Sequence, residues 1–311
     1  MTRYEELKWY GFGLRAGLTN LRVNRGSLGW KKTFGKILQP INMYTRFPEY
    51  YLFHTAVQPV IVSLGTTPKA ILDVGSPKLF GFYLASAYGI KAYLTDLNER
   101  DIVEYSTMWS ALSPGALGIA VIERQDVRAL TYPDDTFDVA YSMSAIEHVE
   151  GDRADSLALK ELWRVMKPQG LLVVSLPFGD RYMEQTRRGF SWTATPVDTR
   201  KEYFFQRVYD KEALETRLIG SLEPRPPVIQ VYTVYRSRAM SSAAIYHRLR
   251  KLLGLSASGV LGFLNPLLSI LINRHCEGYP QRFLASYGPS HSLADIYADA
   301  VIVCRKPTRG E

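Results

Sequence analysis

From residue 69 to about 179 the chain alternates short apolar runs with longer amphipathic ones. The runs at 70–74, 91–95, 119–124, 137–142 and 171–175 are rich in β-branched and aliphatic residues, as strands buried on both faces are. Helical spacing fills the gaps at 78–88, 98–112 and 153–166. The first of these helices closes at Gly89 and the second stops before Ser113-Pro114-Gly115. The third begins after Asp152, a suitable N-cap, and ends before Pro168-Gln169-Gly170. This alternation predicts a mostly parallel sheet with helices on both faces. Two further strands, 228–235 and 300–305, complete a seven-stranded pattern, and the last is expected to run antiparallel.

Upstream, residues 3–14 and 49–64 have helical spacing, joined by a basic, Gly-containing link. Between the last two strands lie about 60 residues that a hairpin would not need. The resulting division is a basic helical cap at 1–66, a core at 67–237 and 292–311, and a helical insertion at 238–291. Within the insertion, 252–273 carries no charged side chain, while Arg248, Arg250, Lys251 and Arg274 bracket it. Its length approaches a membrane span, but Gly254, Gly259, Gly262, Asn265 and Pro266 interrupt it. It reads either as a helical hairpin lying in a bilayer interface or as a buried helical pair or homo-oligomer contact.

Composition narrows the class. With 311 residues, 46% of them hydrophobic, the chain can bury one large core with an appendage. Cys276 and Cys304 give neither a disulfide framework nor a metal-ligand spacing, which points to a reducing, cytoplasmic compartment. The first residues lack the apolar stretch of a signal peptide. Net charge is +8, unevenly spread: residues 1–46 hold nine Lys/Arg against two Asp/Glu, and 236–311 hold ten against four. Basic flanks around an acidic middle suit either an anionic partner, such as a phospholipid surface at the inner face of the membrane, or a solvated basic surface. No finger, RNP or basic-zipper pattern supports nucleic acid.

Candidate chemistry concentrates at two strand ends. The run Ala70-Ile-Leu-Asp73-Val-Gly75 ends in a turn where glycine lets the backbone approach a ligand closely. Asp96, at the tip of the next strand, follows the glycine by about 20 residues, a spacing that places a carboxylate against a ribose diol. The turn lacks the G-x-G-x-x-G spacing that seats a dinucleotide pyrophosphate, which disfavours a nicotinamide enzyme.

Further landmarks follow in order. Asp126-Val127 comes after the third strand. Then come Pro133-Asp-Asp-Thr-Phe137-Asp, Glu147-His148-Val149 and Lys167-Pro-Gln-Gly170. Together with Asp73-x-Gly75 and Asp96 they make residues 69–179 resemble the class I S-adenosylmethionine-dependent methyltransferases of the type 11 subgroup, with weaker resemblance at 201–235. The resemblance implies a Rossmann-like fold and S-adenosyl-L-methionine as cofactor. It assigns Asp96, with Leu97 beside it, to the ribose and Asp126 to the adenine amino group. Val127 would pack on the ring, and Asp73 and Gly75, with Ser142 nearby, would serve the methionine end. One departure stands out: the turn continues Gly75-Ser76-Pro77-Lys78 where the family places further glycines, so a backbone donor is lost. Lys78 would pair with the cofactor carboxylate or face solvent.

Two functions fit. One is methyl transfer to a small-molecule, lipid-linked or saccharide-linked acceptor, with His148 as the base for an oxygen nucleophile. The other is a methyltransferase-like binding or scaffold protein without transfer activity. The aromatics Tyr182, Phe190, Trp192, Tyr203, Phe204 and Phe205, interleaved with Arg181, Arg187, Arg188 and Arg200, would make a lid or pack on the core. Tyr44, Arg46, Tyr50 and Tyr51 would cover the cofactor.

Overall fold

The computed structural model describes residues 3–28, 47–63, 69–193, 196–234, 284–286 and 298–308. The uncharged stretch 252–273, Tyr44 and Arg46 lie outside them. Two helices come first, α1 (Arg3–Leu28) and α2 (Phe47–Ser63). The alternating core then runs β1 (Ala70–Val74), α3 (Leu79–Tyr88), β2 (Lys91–Asp96), α4 (Glu99–Leu112), β3 (Ile119–Arg124), β4 (Phe137–Met143), α5 (Ala154–Val165) and β5 (Met166–Phe178). A hairpin follows, β6 (Met183–Arg188) with β7 (Glu202–Val208). Next come a short irregular helical stretch opened by α6 (Lys211–Ala213), then β8 (Ile229–Val234), β9 (Leu284–Ser286) and β10 (Ala298–Arg305).

The main sheet has the order β3-β2-β1-β4-β5-β10-β8-β9. Strands β1 to β5 pair in parallel, and β10 runs antiparallel to both β5 and β8. The expected Rossmann-like sheet is therefore present, with its last core strand antiparallel. Leu284–Ser286 extends it as a short edge strand within the segment read as insertion. Strand order reverses between β1 and β4, and a ligand crevice is expected at the C-terminal side of that switch point.

The sheet is buried on both faces because its strand residues alternate between two cores. Ile71, Val139, Tyr141 and Val173 join Phe53, Phe80, Phe82 and Trp109 on one side. Leu72, Ala140, Leu172 and Val174 join Leu159, Leu162 and Trp163 on the other. Helix α3 is apolar almost all round because it sits between the sheet and the N-terminal helices. There Trp9 packs on Tyr50 at 4.7 Å and edge-on to Tyr83 at 5.2 Å. Gly81 allows α3 to lie close to β2, since a Cβ there would stand 2.2 Å from Leu94 Cδ2.

Several boundaries differ from expectation. Helix α1 continues to Leu28 rather than ending near residue 14. Its glycines lower helix propensity, yet Gly13, Ala16, Gly17 and Asn20 make a buried small-residue face, and Arg15 donates to Leu112 O (3.0 Å) at the end of α4. Asp152 does not cap α5: the residue before that helix is Arg153, in a left-handed conformation (φ 51°), with no side-chain cap. The hairpin β6–β7 has no counterpart among the expected strands, because β6, Met-Glu-Gln-Thr-Arg-Arg, has no apolar alternation.

The hairpin is held instead by a buried charge network. Arg207 on β7 donates to the carbonyls of Val149 and Gly151 (2.6 Å each) and to Glu184 (3.1 Å). Its Nε lies 3.9 Å from Asp155 Oδ2. Asp155 also accepts from Tyr209 Oη (2.9 Å) and from Arg217 (2.9 and 2.8 Å). Burial alone would raise the Asp155 carboxyl, but Arg217, Arg207 and Tyr209 hold it below its ordinary value. Removing this carboxylate strands a buried guanidinium, so Asp155→Ala is expected to cost about 3–5 kcal/mol in urea unfolding at pH 7. Because the folded carboxyl is the stronger acid, its contribution is full above the unfolded value of 3.8 and is lost as pH falls through the lower folded value. The gap between wild type and Asp155→Ala should therefore close under acid; a gap independent of pH down to the acid transition would contradict this.

Candidate functional site

The C-terminal ends of β1, β2 and β3 open onto a cavity of about 1280 Å³. Gly75, Asp96, Leu97, Asp126, Val127 and His148 all line it, as do Tyr50 of α2, Asn20 of α1 and Trp192 beyond the hairpin strand β6. Gly75 has φ 67° and its amide donates to Thr95 O (3.0 Å). A Cβ at this position would stand 2.8 Å from Ala145 Cβ, so the turn both needs the left-handed conformation and brings β1 against the loop after β4.

Beneath that turn lies a buried charge cluster. Lys78, fully buried, borders the cavity. It donates to Thr95 O at 2.8 Å and Asp73 Oδ1 at 3.3 Å, and lies 3.6 Å from Asp96 Oδ2. Asp73 also accepts from Ser76 N at 3.2 Å. Among the described residues its Oδ2 completes no aligned hydrogen bond, and neither does the hydroxyl of Tyr141, opposite it on β4. Burial pushes the Asp73 carboxyl up, and Lys78 opposes that shift. Asp96 differs: it is 23% exposed, and Oδ1 accepts only the Asn98 amide (3.1 Å) among the bonds described. Its remaining lone pairs are available to hydroxyl donors in the cavity.

Asp126, 33% exposed, is clamped by Arg128. The guanidinium donates to both carboxylate oxygens (2.9, 3.2 and 2.6 Å), and the Arg128 amide donates to Oδ1 (2.9 Å). This partner holds the carboxyl below its ordinary value, and four oxygen lone-pair sites leave room for one further donor. On the far side, α2 is pinned to the strand ends by Glu49, which accepts from Ser144 Oγ and Ser175 Oγ at 2.6 Å each. Ser144 itself is held at φ 46°, an uncommon conformation for a serine.

His148 sits on a short 3₁₀ turn (Ile146–His148) after β4. Its Nδ1 bonds Phe205 O at 2.6 Å; a carbonyl only accepts, so Nδ1 carries the proton and Nε2 bears the lone pair of the neutral ring. Nε2 lies 3.7 Å from Glu147 Oε1. Trp192, 49% exposed, packs on the imidazole at 4.6 Å, and Phe190 and Phe205 back the indole, with Arg187 5.0 Å from the centre of the Phe190 ring.

Asp96 and Asp126, at the ends of the adjacent strands β2 and β3, thus line one cavity with the Gly75 turn. Residues 72–174 match the methyltransferase domain family. No curated protein matches the chain. Among solved structures, a SAM-dependent methyltransferase from Methanosarcina mazei is 18% identical. The match covers 80% of this chain and 97% of that one, with a TM-score of 0.45. The [4+2]-cyclase SpnF is 17% identical over 83% and 81% of the two chains, TM-score 0.45. A Haemonchus contortus phosphoethanolamine N-methyltransferase 2, solved in complex with S-adenosyl-L-methionine, is 13% identical over 93% and 60%, TM-score 0.46.

Within the domain the predicted residues divide into two groups. Gly75, Asp96, Leu97, Asp126, Val127 and His148 share the cavity wall. Asp73 and Ser142 lie below it, fully buried, and Ser142 Oγ donates to Val74 O (3.0 Å). Lys78 does not face solvent: it is fully buried and borders the cavity. Arg128, Glu49 and Arg207 carried no motif signal; only the spacing of Arg128 two residues after Asp126 could have suggested its clamp. Gly75→Ala is expected to cost about 1–3 kcal/mol from φ strain alone and to displace Ala145. Thermal unfolding would show a lowered midpoint, and a midpoint equal to wild type would refute the tight turn.

Proposed function

We propose that the chain is an S-adenosyl-L-methionine-dependent methyltransferase acting on a small-molecule, lipid-linked or saccharide-linked acceptor. The observation that carries this reading is the single cavity in which Gly75, Asp96, Leu97, Asp126 and Val127 meet at the ends of three neighbouring parallel strands, inside the matched domain. The donor set suits the cofactor. Asp96 offers free lone pairs to a ribose diol, Asp126 offers an acceptor to an adenine amino group, and Val127 an apolar surface for the ring. When bound, the cofactor supplies an activated methyl group on a sulfonium, so the protein's work is alignment and exclusion of water.

The acceptor would enter between Tyr50, the Ser144–Ala145 turn and Trp192, where a volume of about 1280 Å³ exceeds what one drug-sized ligand occupies. His148 serves there as the base. The Phe205 carbonyl fixes its tautomer, leaving Nε2 to take a proton from an acceptor hydroxyl. Trp192 and Phe205 limit its access to water. The basic flanks and the apolar stretch 252–273 are, in this reading, the surface that meets an anionic membrane; among the described residues no helix is long and apolar enough to cross one.

Calorimetric titration with S-adenosyl-L-methionine tests the cofactor claim. Wild type should bind, and Asp96→Ala should weaken binding roughly 10- to 100-fold through lost charge-assisted hydrogen bonds; absence of binding at millimolar cofactor would favour the scaffold reading instead. With an acceptor identified, His148→Gln should lower transfer by roughly 100-fold or more while cofactor affinity stays near wild type. Equal loss of binding would assign His148 to the cofactor wall.

A further inference from the structure

We propose that the buried Asp73–Lys78 pair sets the preference of the site for a positively charged methyl donor over its neutral thioether product. The inference rests on the cofactor reading above and concerns a feature that reading does not use. Asp73 and Lys78 are both fully buried, and Asp73 is absent from the cavity wall. Lys78 borders the cavity, whereas Asp73 bears on it only through Lys78.

Lys78 bears on the ligand through Asp96. Its ammonium stands 3.6 Å from Asp96 Oδ2, and Asp96 is the member of the trio that faces the cavity as a carboxylate. The sulfur of the donor is joined to its ribose through one carbon, so a diol held by Asp96 keeps the sulfonium on the same floor. With Asp73 ionised, Lys78 is neutralised and Asp96 presents a net negative floor to the sulfonium. Without the Asp73 charge, Lys78 cancels Asp96 instead, and the floor becomes neutral. Donor and product share adenine, ribose and amino-acid tail and differ by the methyl group and its unit charge. Their affinity ratio therefore reports the floor charge, while general loosening of the site acts on both alike. Unit charges buried in this way are weakly screened.

The test measures dissociation constants for S-adenosyl-L-methionine and S-adenosyl-L-homocysteine calorimetrically on the full chain at neutral pH. In Asp73→Asn the preference for donor over product should fall on the order of ten-fold. In Asp73→Asn/Lys78→Met, which removes both charges, the wild-type ratio should return even if both affinities weaken. Should Asp73→Asn fail to fold, Lys78→Met alone must leave the ratio unchanged or raise it. A ratio within two-fold of wild type in Asp73→Asn, or a lowered ratio in Lys78→Met, overturns the inference while leaving the cofactor reading intact. Failure of wild type to bind either compound overturns the cofactor reading itself.

Discussion

An ammonium and a carboxylate are held out of water at the carboxyl edge of the sheet, and keeping them paired constrains much of what surrounds them. Lys78 reaches back from the start of α3 to Thr95 O on β2 and to Asp73 on β1. Burying two charges is costly unless every donor and acceptor finds a partner. Here the Ser76 amide, the Thr95 carbonyl and the Asp96 carboxylate supply most of them, and Asp73 Oδ2 is left without an aligned partner among the described residues. Thr95 Oγ1 donates to Asp73 O, and the Gly75 amide returns to Thr95 O, so the tips of β1 and β2 are stitched from both sides. The path of the turn, the entry of α3 and the spacing of the two strand ends are thereby fixed together. The floor of the cavity follows from that spacing.

The opposite wall depends on a second buried charge system of a different kind. The β6–β7 hairpin has too few apolar residues to be held by burial alone. Arg207 supplies what is missing, because a planar guanidinium can satisfy two carbonyls of the loop after β4 and a carboxylate at once. Asp155, at the start of α5, collects Arg217 and Tyr209 and lies close to Arg207. The hairpin is thus referenced to the same loop that carries His148. Phe205 joins the two by contributing its carbonyl to the imidazole and its ring to the stack beneath Trp192. The tautomer of His148 and the position of the aromatic shelf are consequences of one strand being in place.

Legibility in the sequence followed the range of the forces involved. Strands β1 and β4 were readable because burial on both faces favours apolar runs, and Gly75, Asp96 and Asp126 because their spacing is set by strand and helix lengths. The ends of β5 were not, since Lys167-Pro-Gln-Gly170 reads as a turn while the backbone on either side still pairs. Helix α1 was cut short because Gly13 and Gly17 lower local propensity, and only its packing against α3 and α4 pays that cost. Arg207 and Glu49 were invisible for a related reason. Each acts through partners distant in the chain, and a lone charged residue has no periodicity to betray it.

The departure at Gly75-Ser-Pro-Lys78 then has a physical account. A glycine-rich turn presents backbone amides; Pro77 removes one, and the stiffened path leaves β1 and β2 in need of another donor between them. The lysine ammonium provides three, directed to Thr95 O, Asp73 and Asp96. That exchange converts a neutral dipolar element into a full charge, which the fold can tolerate only because Asp73 lies opposite. Asp73 and Lys78 thus act as one buried unit, and Asp96 is left as the anionic surface of the floor.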